Sequence, residues 1–301
     1  MRVSVPVADG FLFVCALLWG IGFVAQRIAA LDMGDTPFTY NAARFLLGAL
    51  LLLPFALRRP AARSQAVIIG GSAAALAMFA ASSLQQMAMA RVTPGTAGFI
   101  TGTYVIWVPL LGLLWGQRVS RRVWAGAAIA LVGMWFLMVR GRLEIAPDEL
   151  LLLACAVGWA AHVHIIGWAA LRGDVLGIAF VQFAVTGALS GAVAFAAEPV
   201  SLEILAAGWW PIAFSGFFAI TIAFTLQVLA QTAAPPAHAA IILSMESLFA
   251  EISGSIWMRE SFDPRKWVGA TLMLTGALVA TVTGLRRSPP ESTHPQEPAA
   301  G

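Results

Sequence analysis

The sequence PPAHAAIILSMESLFAEISGSIWMRE, from Pro235 to Glu260, sets Glu246 and Glu251 inside an apolar run. About 20 residues at a rise of 1.5 Å each form a helix about 30 Å long, the hydrocarbon thickness of a bilayer. A carboxylate near the middle of such a span costs roughly 2.5–3.5 kcal/mol to insert, which favours a position facing the bundle interior or a wet cavity. Glu246 is therefore the first functional candidate. The alternative is a structural carboxylate that hydrogen-bonds a neighbouring helix.

The composition is that of a polytopic membrane protein. Of the 301 residues, 59% are hydrophobic and 11% are charged, whereas soluble domains carry roughly 25% charged residues. The net charge of +3 does not indicate nucleic-acid binding, because the basic residues lie in short groups between apolar runs. Cys15 and Cys155 lie inside apolar runs, which argues against a disulfide framework and a metal site. We expect the lipid bilayer as a partner, with no nucleic acid, metal or cofactor.

Ten transmembrane spans are predicted when the apolar runs are divided at their polar breaks. Their predicted bounds are 10–30, 37–57, 65–90, 94–116, 122–140, 147–169, 174–197, 207–231, 236–258 and 265–285. The polar, Pro-rich tail at 286–301 is predicted to be disordered. Counted over alternate loops, more Lys and Arg fall on the side of the N-terminus than on the other side. Both termini are therefore predicted to be cytoplasmic.

The two halves of the chain repeat each other. Cys15 and Trp19 align with Cys155 and Trp159 at an offset of 140. Later matches are Gln86 with Gln227, Trp124 with Trp267, Gly126 with Gly269, and Gly133 with Gly276. Five spans per repeat is an odd number, so the second copy enters the membrane from the opposite side. We predict an all-α integral membrane protein with ten transmembrane helices, built as two inverted five-helix repeats (1–143 and 144–285) around a central cavity.

A substrate site between the repeats would be lined by polar and aromatic side chains near the span centres. The candidates are Gln85, Gln86, Thr101, Thr103, Tyr104, Trp107, Trp159, Gln227, Ser244 and Glu246. Amides bind both the ammonium and the carboxylate of a zwitterion, and aromatic rings hold a cation or an apolar side chain, which suits an amino acid. The alternative is that Gln and Thr only join helices, through hydrogen bonds worth roughly 0.6 kcal/mol each. Trp19 and Trp159 would then pack at the repeat interface.

Arg44 and His162 join Glu246 as candidates for proton coupling or an ion pair. Arg44 is the most deeply placed cation, and a pair with Glu246 would reduce the insertion cost of both groups. His162 is a candidate proton relay because imidazole titrates near physiological pH. It does not form a metal pair with His164, since side chains two residues apart on a helix point about 160° away from each other. The sequence is compatible both with transport coupled to protons and with uniport.

Three motifs resemble the EamA branch of the drug/metabolite transporter superfamily. They are WGIGFVAQR from Trp19 to Arg27, RFLLG from Arg44 to Gly48, and TAGFITGTYVIWVPLLGLLWGQR from Thr96 to Arg118. Glu246 and Glu260 have the 14-residue spacing of that family's Glu-Pro motif, although Ser247 replaces the Pro. Thr103 and Gln117 occupy the two Glu positions in the first repeat. The resemblance implies a ten-helix basket with a central cavity, and efflux of amino acids or related metabolites.

These observations favour one function class over two others. The favoured class is a secondary transporter of the bacterial inner membrane that exports a small metabolite by alternating access, with Glu246 binding the substrate ammonium or a proton. A multidrug or lipid translocator would use the same fold with a lateral opening between helices. An intramembrane enzyme is disfavoured, because the sequence sets no paired acid and base or nucleophile at one depth and carries no nucleotide-binding loop.

Overall fold

The structure is a computed structural model that describes residues 3–138, 146–258 and 264–281, and all regular elements in these ranges are helical. The α-helices in chain order are α1 (Val5–Asp32), α2 (Pro37–Leu57), α3 (Gln65–Ala88), α4 (Pro94–Gly102), α5 (Tyr104–Leu114), α6 (Arg121–Met138), α7 (Pro147–Ala169), α8 (Val175–Ala197), α9 (Leu202–Ala207), α10 (Trp209–Phe214), α11 (Thr225–Ala230), α12 (Pro236–Leu243), α13 (Glu246–Met258) and α14 (Pro264–Thr281). A 3-10 turn spans Pro60–Arg63, and a π-helix, Ser215–Phe224, joins α10 to α11. The predicted tail at 286–301 and Glu260 lie outside the described residues.

Eight helical segments are long and apolar enough to cross a membrane. They are α1, α2, α3, α4 with α5, α7, α8, α10 through α11, and α12 with α13. The predicted spans at 122–140 and 265–285 coincide with α6 and α14, which do not reach that measure within the described ranges. The prediction of an all-helical membrane protein is therefore confirmed, whereas the total of ten transmembrane helices is not.

Proline sets the start of several helices. Each of these prolines stands in the first turn, where its missing N–H would have had no partner in the helix. They are Pro6 in α1, Pro37 in α2, Pro94 in α4, Pro147 in α7 and Pro236 in α12. The predicted starts at 37, 94, 147 and 236 agree with the structure for this reason. The predicted start of the first span at residue 10 is too late, because α1 already begins at Val5.

Helices that hold the same place in the two repeats pack as antiparallel pairs. The most extensive interfaces join α6 to α14 and α2 to α8. A Cβ atom on Gly126 would lie 2.7 Å from the carbonyl oxygen of Gly276, and one on Gly276 would lie 2.6 Å from that of Gly126. Gly133 meets the carbonyl oxygen of Gly269 in the same way, at 2.7 Å. Because Gly126 aligns with Gly269 and Gly133 with Gly276, the contacts are reciprocal, as a two-fold relation between the repeats requires.

The other large interfaces also join helices of different repeats. The first helix, α1, packs against α13 and the π-helix, and α3 packs against α7 and α8. Gly98 and Gly102 of α4 admit α13 at close range, and the Ser247 hydroxyl donates to the Gly98 carbonyl oxygen at 2.6 Å. Leu46 and Leu50, one turn apart on α2, are exposed, as expected of a face that contacts lipid. The protein interior is thus built jointly by the two repeats.

Side-chain contacts tie several helix ends together, two of them beside the interior. Asp9 in α1 and His238 in α12 are joined by a contact of 2.6 Å between Oδ1 and Nε2. Arg91, after α3, contacts Asp35 in the loop between α1 and α2, and Asp148 at the start of α7, each at 3.2 Å. The Arg91 contacts are largely exposed and contribute little to stability on their own. Both ties nevertheless fix the ends of helices that surround the interior.

We predict that Gly126→Ala destabilises the protein. The added Cβ would clash with the Gly276 backbone, so α6 and α14 must separate, and overpacking of this kind costs about 1–3 kcal/mol. Thermal unfolding of the detergent-solubilised protein measures the effect. Gly10→Ala is the matched control, because a Cβ at Gly10 would meet nothing within 4 Å. Equal melting temperatures for the two variants would show that the α6–α14 contact is not close in solution.

Candidate functional site

The fourth span of each repeat is interrupted at equivalent positions. Between α4 and α5, the Thr103 N–H bonds the Ile100 carbonyl oxygen three residues back, at 3.2 Å. Between α12 and α13, the Met245 N–H bonds Ile242 in the same manner, also at 3.2 Å. Glu246 is the first residue of α13. In inverted-repeat transporters such discontinuous helices frame the substrate site near the bilayer midplane.

Hydroxyl side chains lie at both interruptions. The Thr103 hydroxyl donates to the Ile100 carbonyl oxygen at 2.6 Å, and the Ser244 hydroxyl donates to Ile241 at 2.8 Å. Such side chains compete with backbone N–H groups for the same carbonyl oxygens and so weaken the α-helical pattern locally. Both hydroxyl groups therefore serve the helix geometry, and neither points into the cavity described next.

A cavity lies between the repeats beside these interruptions. It offers about 50 Å³ to the centres of water molecules, which is room for several waters or a small solute, since one water needs roughly 10–15 Å³ on this measure. The lining residues are Trp19, Gly22, Phe23, Gln26, Arg44, Phe45, Gln85, Thr101, Tyr104, Trp159, His162, Val163, Ala219, Ile220, Phe224, Gln227, Leu243 and Glu246. The wall is largely apolar and aromatic, with a few polar groups, as in other small-molecule sites.

Glu246 reaches this cavity from the start of α13 and is only 5% exposed. No Lys, Arg or His of the described ranges lies within 4.0 Å of its carboxylate. The Tyr104 hydroxyl lies beside the carboxylate but forms no hydrogen bond of normal geometry with it. The predicted pair with Arg44 is not formed, although Arg44 lines the same cavity. A buried carboxylate without a charged partner is costly, so this group can bind a cation or a proton.

Three polar side chains form a hydrogen-bonded relay along one wall. The Trp159 indole N–H donates to Gln85 Oε1 at 2.8 Å, and Gln85 Nε2 donates to Gln26 Oε1 at 2.9 Å. Trp159 also stacks on Phe224, with ring centroids 5.7 Å apart and an interplanar angle of 24°. These contacts fix the orientation of the Trp159 ring against the cavity.

The π-helix also lines the cavity and is bonded to α1. The Trp19 indole N–H donates to the Ala219 carbonyl oxygen at 2.9 Å, and the Cys15 thiol donates to Ala223 at 3.0 Å. Within the π-helix the Thr221 hydroxyl donates to the Gly216 carbonyl oxygen at 2.7 Å, five residues back. π-helices are rare and are frequently found at functional sites. This one sets Phe224 toward Trp159 and therefore shapes the aromatic part of the cavity.

The two histidines of α7 have separate environments. His162 lines the cavity and shares a hydrogen bond of 3.0 Å with Gln182 Oε1, while its Nδ1 has no partner. His164 Nε2 donates to the Val108 carbonyl oxygen at 2.7 Å, in another part of the interior. Within the described part of the chain no three His, Cys, Asp or Glu side chains are grouped so that they could hold a metal ion.

The structure brings most of the candidate residues together. Those that line the cavity are Gln85, Thr101, Tyr104, Trp159, Gln227, Glu246, Arg44 and His162. Those that do not are Gln86, Thr103, Trp107 and Ser244. Gln86 donates instead to the Gln26 backbone at 3.0 Å, and Trp107 is 37% exposed.

Other lining residues were not predicted. Gln26 could have been predicted, because it is a polar side chain inside the first apolar span. Phe23, Phe45 and Phe224 could not, because nothing distinguishes them from the aromatic residues that face lipid.

Two comparisons give the relatives of this chain. It is 29% identical, over 91% of its own length and 86% of the relative's, to a protein of Archaeoglobus fulgidus described as an uncharacterized transporter. A crystal structure of another protein matches 95% of this chain and 99% of its own with a TM-score of 0.74. Its sequence identity is 21%, so this match shows a shared fold alone.

The family comparison covers most of the chain. The sequence profile of the EamA-like transporter family matches residues 7–139 and again residues 147–282. The two matches correspond to two copies of one domain, in agreement with the internal repeat and with the reciprocal α6–α14 contacts. The chain therefore belongs to the EamA-like transporter family and is a multi-pass membrane protein of the transporter type.

Proposed function

We propose that this transporter exports a small zwitterion, an amino acid or a related metabolite, by alternating access of its two repeats. One observation carries the proposal. The buried Glu246 carboxylate has no charged partner in the described ranges and faces a cavity between the repeats, at a break in the fourth span of the second repeat. A substrate ammonium group would supply the missing counter-charge, and a proton would do so when the substrate has left.

The rest of the cavity wall supports a substrate that is polar at one end and apolar at the other. Gln26, Gln85, Gln227 and Thr101 offer hydrogen-bonding groups. The Trp159 and Phe224 rings offer an apolar surface, and a cation can also lie over the face of either ring. The cavity offers about 50 Å³ to the centres of water molecules, which is room for a small solute.

We further propose ten spans, with both termini on the cytoplasmic side of a bacterial inner membrane. The antiparallel pairing of α6 with α14 supports two more spans, one per repeat, because each lies along its equivalent. The excess of Lys and Arg in the loops on the side of the N-terminus supports the orientation. Because each repeat would have five spans, an odd number, the two repeats would lie in the membrane with opposite orientations.

Proteoliposome counterflow tests the proposal. Vesicles preloaded with a mixture of amino acids should accumulate one labelled amino acid above the level of empty vesicles. Glu246→Gln should reduce the initial rate by roughly tenfold or more, since the loss of one charge-assisted hydrogen bond costs about 1.5–3 kcal/mol. If Glu246 also carries the coupling proton, this variant abolishes the response to a pH gradient.

Glu251→Gln is the matched control for this experiment. It makes the same chemical change on α13, at a buried position that does not line the cavity, and should leave counterflow near the wild-type rate. No accumulation of any amino acid by folded protein would overturn the substrate assignment. The search would then move to lipophilic cations and lipids, the substrates of a translocator with the same fold.

A second prediction concerns the relay. Gln85→Leu removes the acceptor of the Trp159 indole N–H and the donor to Gln26, so the ring loses its fixed orientation. We expect the half-saturating substrate concentration to rise about 3–10-fold, the equivalent of one lost hydrogen bond. Ser83→Ala on the same helix is the control, because the Ser83 hydroxyl is buried, has no partner and does not line the cavity. Identical concentrations for wild type and Gln85→Leu would mean that the relay does not orient the binding surface.

A further inference from the structure

Arg44 is a buried cation with an unusual set of neighbours. Its side chain enters the cavity from α2 and is only 4% exposed. Its guanidinium carbon lies 4.9 Å from the centre of the Tyr40 ring and 5.0 Å from that of the Phe45 ring. Nε donates to Asn41 Oδ1 at 3.0 Å, and Asn41 Nδ2 donates in turn to the Ser82 carbonyl oxygen at 3.2 Å. These contacts hold the guanidinium plane in one position.

The same contacts leave the charge of Arg44 without a counter-charge. No carboxylate in the described ranges lies within 4.0 Å of the guanidinium, and Glu246 forms no ion pair with it. The Asn41 side chain accepts the hydrogen bond from Nε of Arg44. The two terminal Nη groups of the guanidinium are therefore left to donate to an acceptor in the cavity. A desolvated guanidinium is stabilised most by an anion that accepts two parallel N–H bonds.

We propose that Arg44 binds the carboxylate of the transported molecule, at a subsite separate from the one that Glu246 provides for its ammonium group. The inference rests on the proposed function and adds to it the group that recognises the anionic end of the zwitterion. A monovalent carboxylate fits better than a phosphate dianion. Arg44 is the sole cation of fixed charge among the lining residues, and Glu246 lies on the same small cavity and would repel a second negative charge.

The arrangement differs from that of a structural arginine. A structural cation in a membrane span bonds to carbonyl oxygens or to a carboxylate, as Arg27 does when its Nη1 donates to the Met89 carbonyl oxygen at 2.6 Å. Arg44 has aromatic faces, one amide oxygen and the neutral Tyr40 hydroxyl, which is bonded to Ser215, around it instead. An aromatic cage fixes the guanidinium plane and does not neutralise its charge.

Competition in the counterflow assay tests the subsite with two analogues of the transported amino acid. The primary amide lacks the carboxylate and keeps the ammonium group, whereas the N-acetyl derivative keeps the carboxylate and lacks the ammonium group. For the wild type we expect both to compete roughly 10–100-fold more weakly than the parent. Arg44→Gln should weaken the parent by a similar factor and bring the ratio of parent to amide close to one. It should leave the discrimination against the N-acetyl derivative in place.

Three further variants sharpen the result. Glu246→Gln should show the opposite pattern, with loss of discrimination against the N-acetyl derivative only. Arg44→Lys keeps the charge but not the two-pronged fork and should retain part of the discrimination against the amide. Arg27→Gln is the matched control, because Arg27 does not line the cavity, and it should change neither ratio.

A ratio of parent to amide that is unchanged in Arg44→Gln, with transport still measurable, would overturn the carboxylate subsite and leave the proposed function standing. Absence of counterflow in the wild type would instead overturn the proposed function.

In that case a second experiment decides whether Arg44 binds an anion. It compares the melting temperature of the protein in propionate with that in propionamide at constant ionic strength. A rise in melting temperature that propionate alone produces, and that Arg44→Gln abolishes, retains an anion site at Arg44, and no rise rejects it. The same readout decides the question if Arg44→Gln and Arg44→Lys fold but do not transport.

Discussion

The close approach of α6 and α14 constrains the rest of the structure. Small residues let the backbones of two helices approach each other closely. Such packing joins Gly126 to Gly276 and Gly133 to Gly269, one residue of each pair from each repeat. Glycines also admit the facing helix where α2 meets α8, at Gly187, and where α1 meets α13, at Gly20. Because the main interfaces form between the repeats, the space left in the interior is lined by both.

The two repeats share a geometry but not a chemistry. The interruptions of the fourth spans coincide, yet one carries Thr103 and the other Glu246. Trp19 and Trp159 are equivalent, but one indole donates to the backbone of the π-helix and the other to the Gln85 side chain. Within the described ranges the π-helix occurs in the second repeat alone. The cavity therefore has distinct ends, which a substrate with two unlike ends can use.

Much of this structure can be predicted from three features of the sequence: its hydrophobic periodicity, its prolines, and the polar residues inside apolar runs. They predict the helical class, several helix starts and the position of Glu246 in the interior beside a cavity, because each depends on a local pattern or on the cost of burying charge. The π-helix could not be predicted, since its carbonyl oxygens are bonded by Cys15 and Trp19, about 200 residues away in the chain. Nor could the bonds from the Phe38 and Thr39 N–H groups to Glu198, at 2.9 and 2.7 Å, be predicted, because they require that α2 and α8 already be paired.

The presence of one guanidinium and one carboxylate on the same cavity has an electrical consequence. With both groups ionised, the fixed charges of Arg44 and Glu246 sum to zero, and a bound zwitterion leaves that sum unchanged. Moving one elementary charge across a membrane potential of 100 mV involves about 2.3 kcal/mol. In the proposed cycle, reorientation with both groups ionised would involve none of that work, whereas an empty cavity whose Glu246 has taken up a proton would carry one net positive charge. The membrane potential would therefore act on the second form and not on the first.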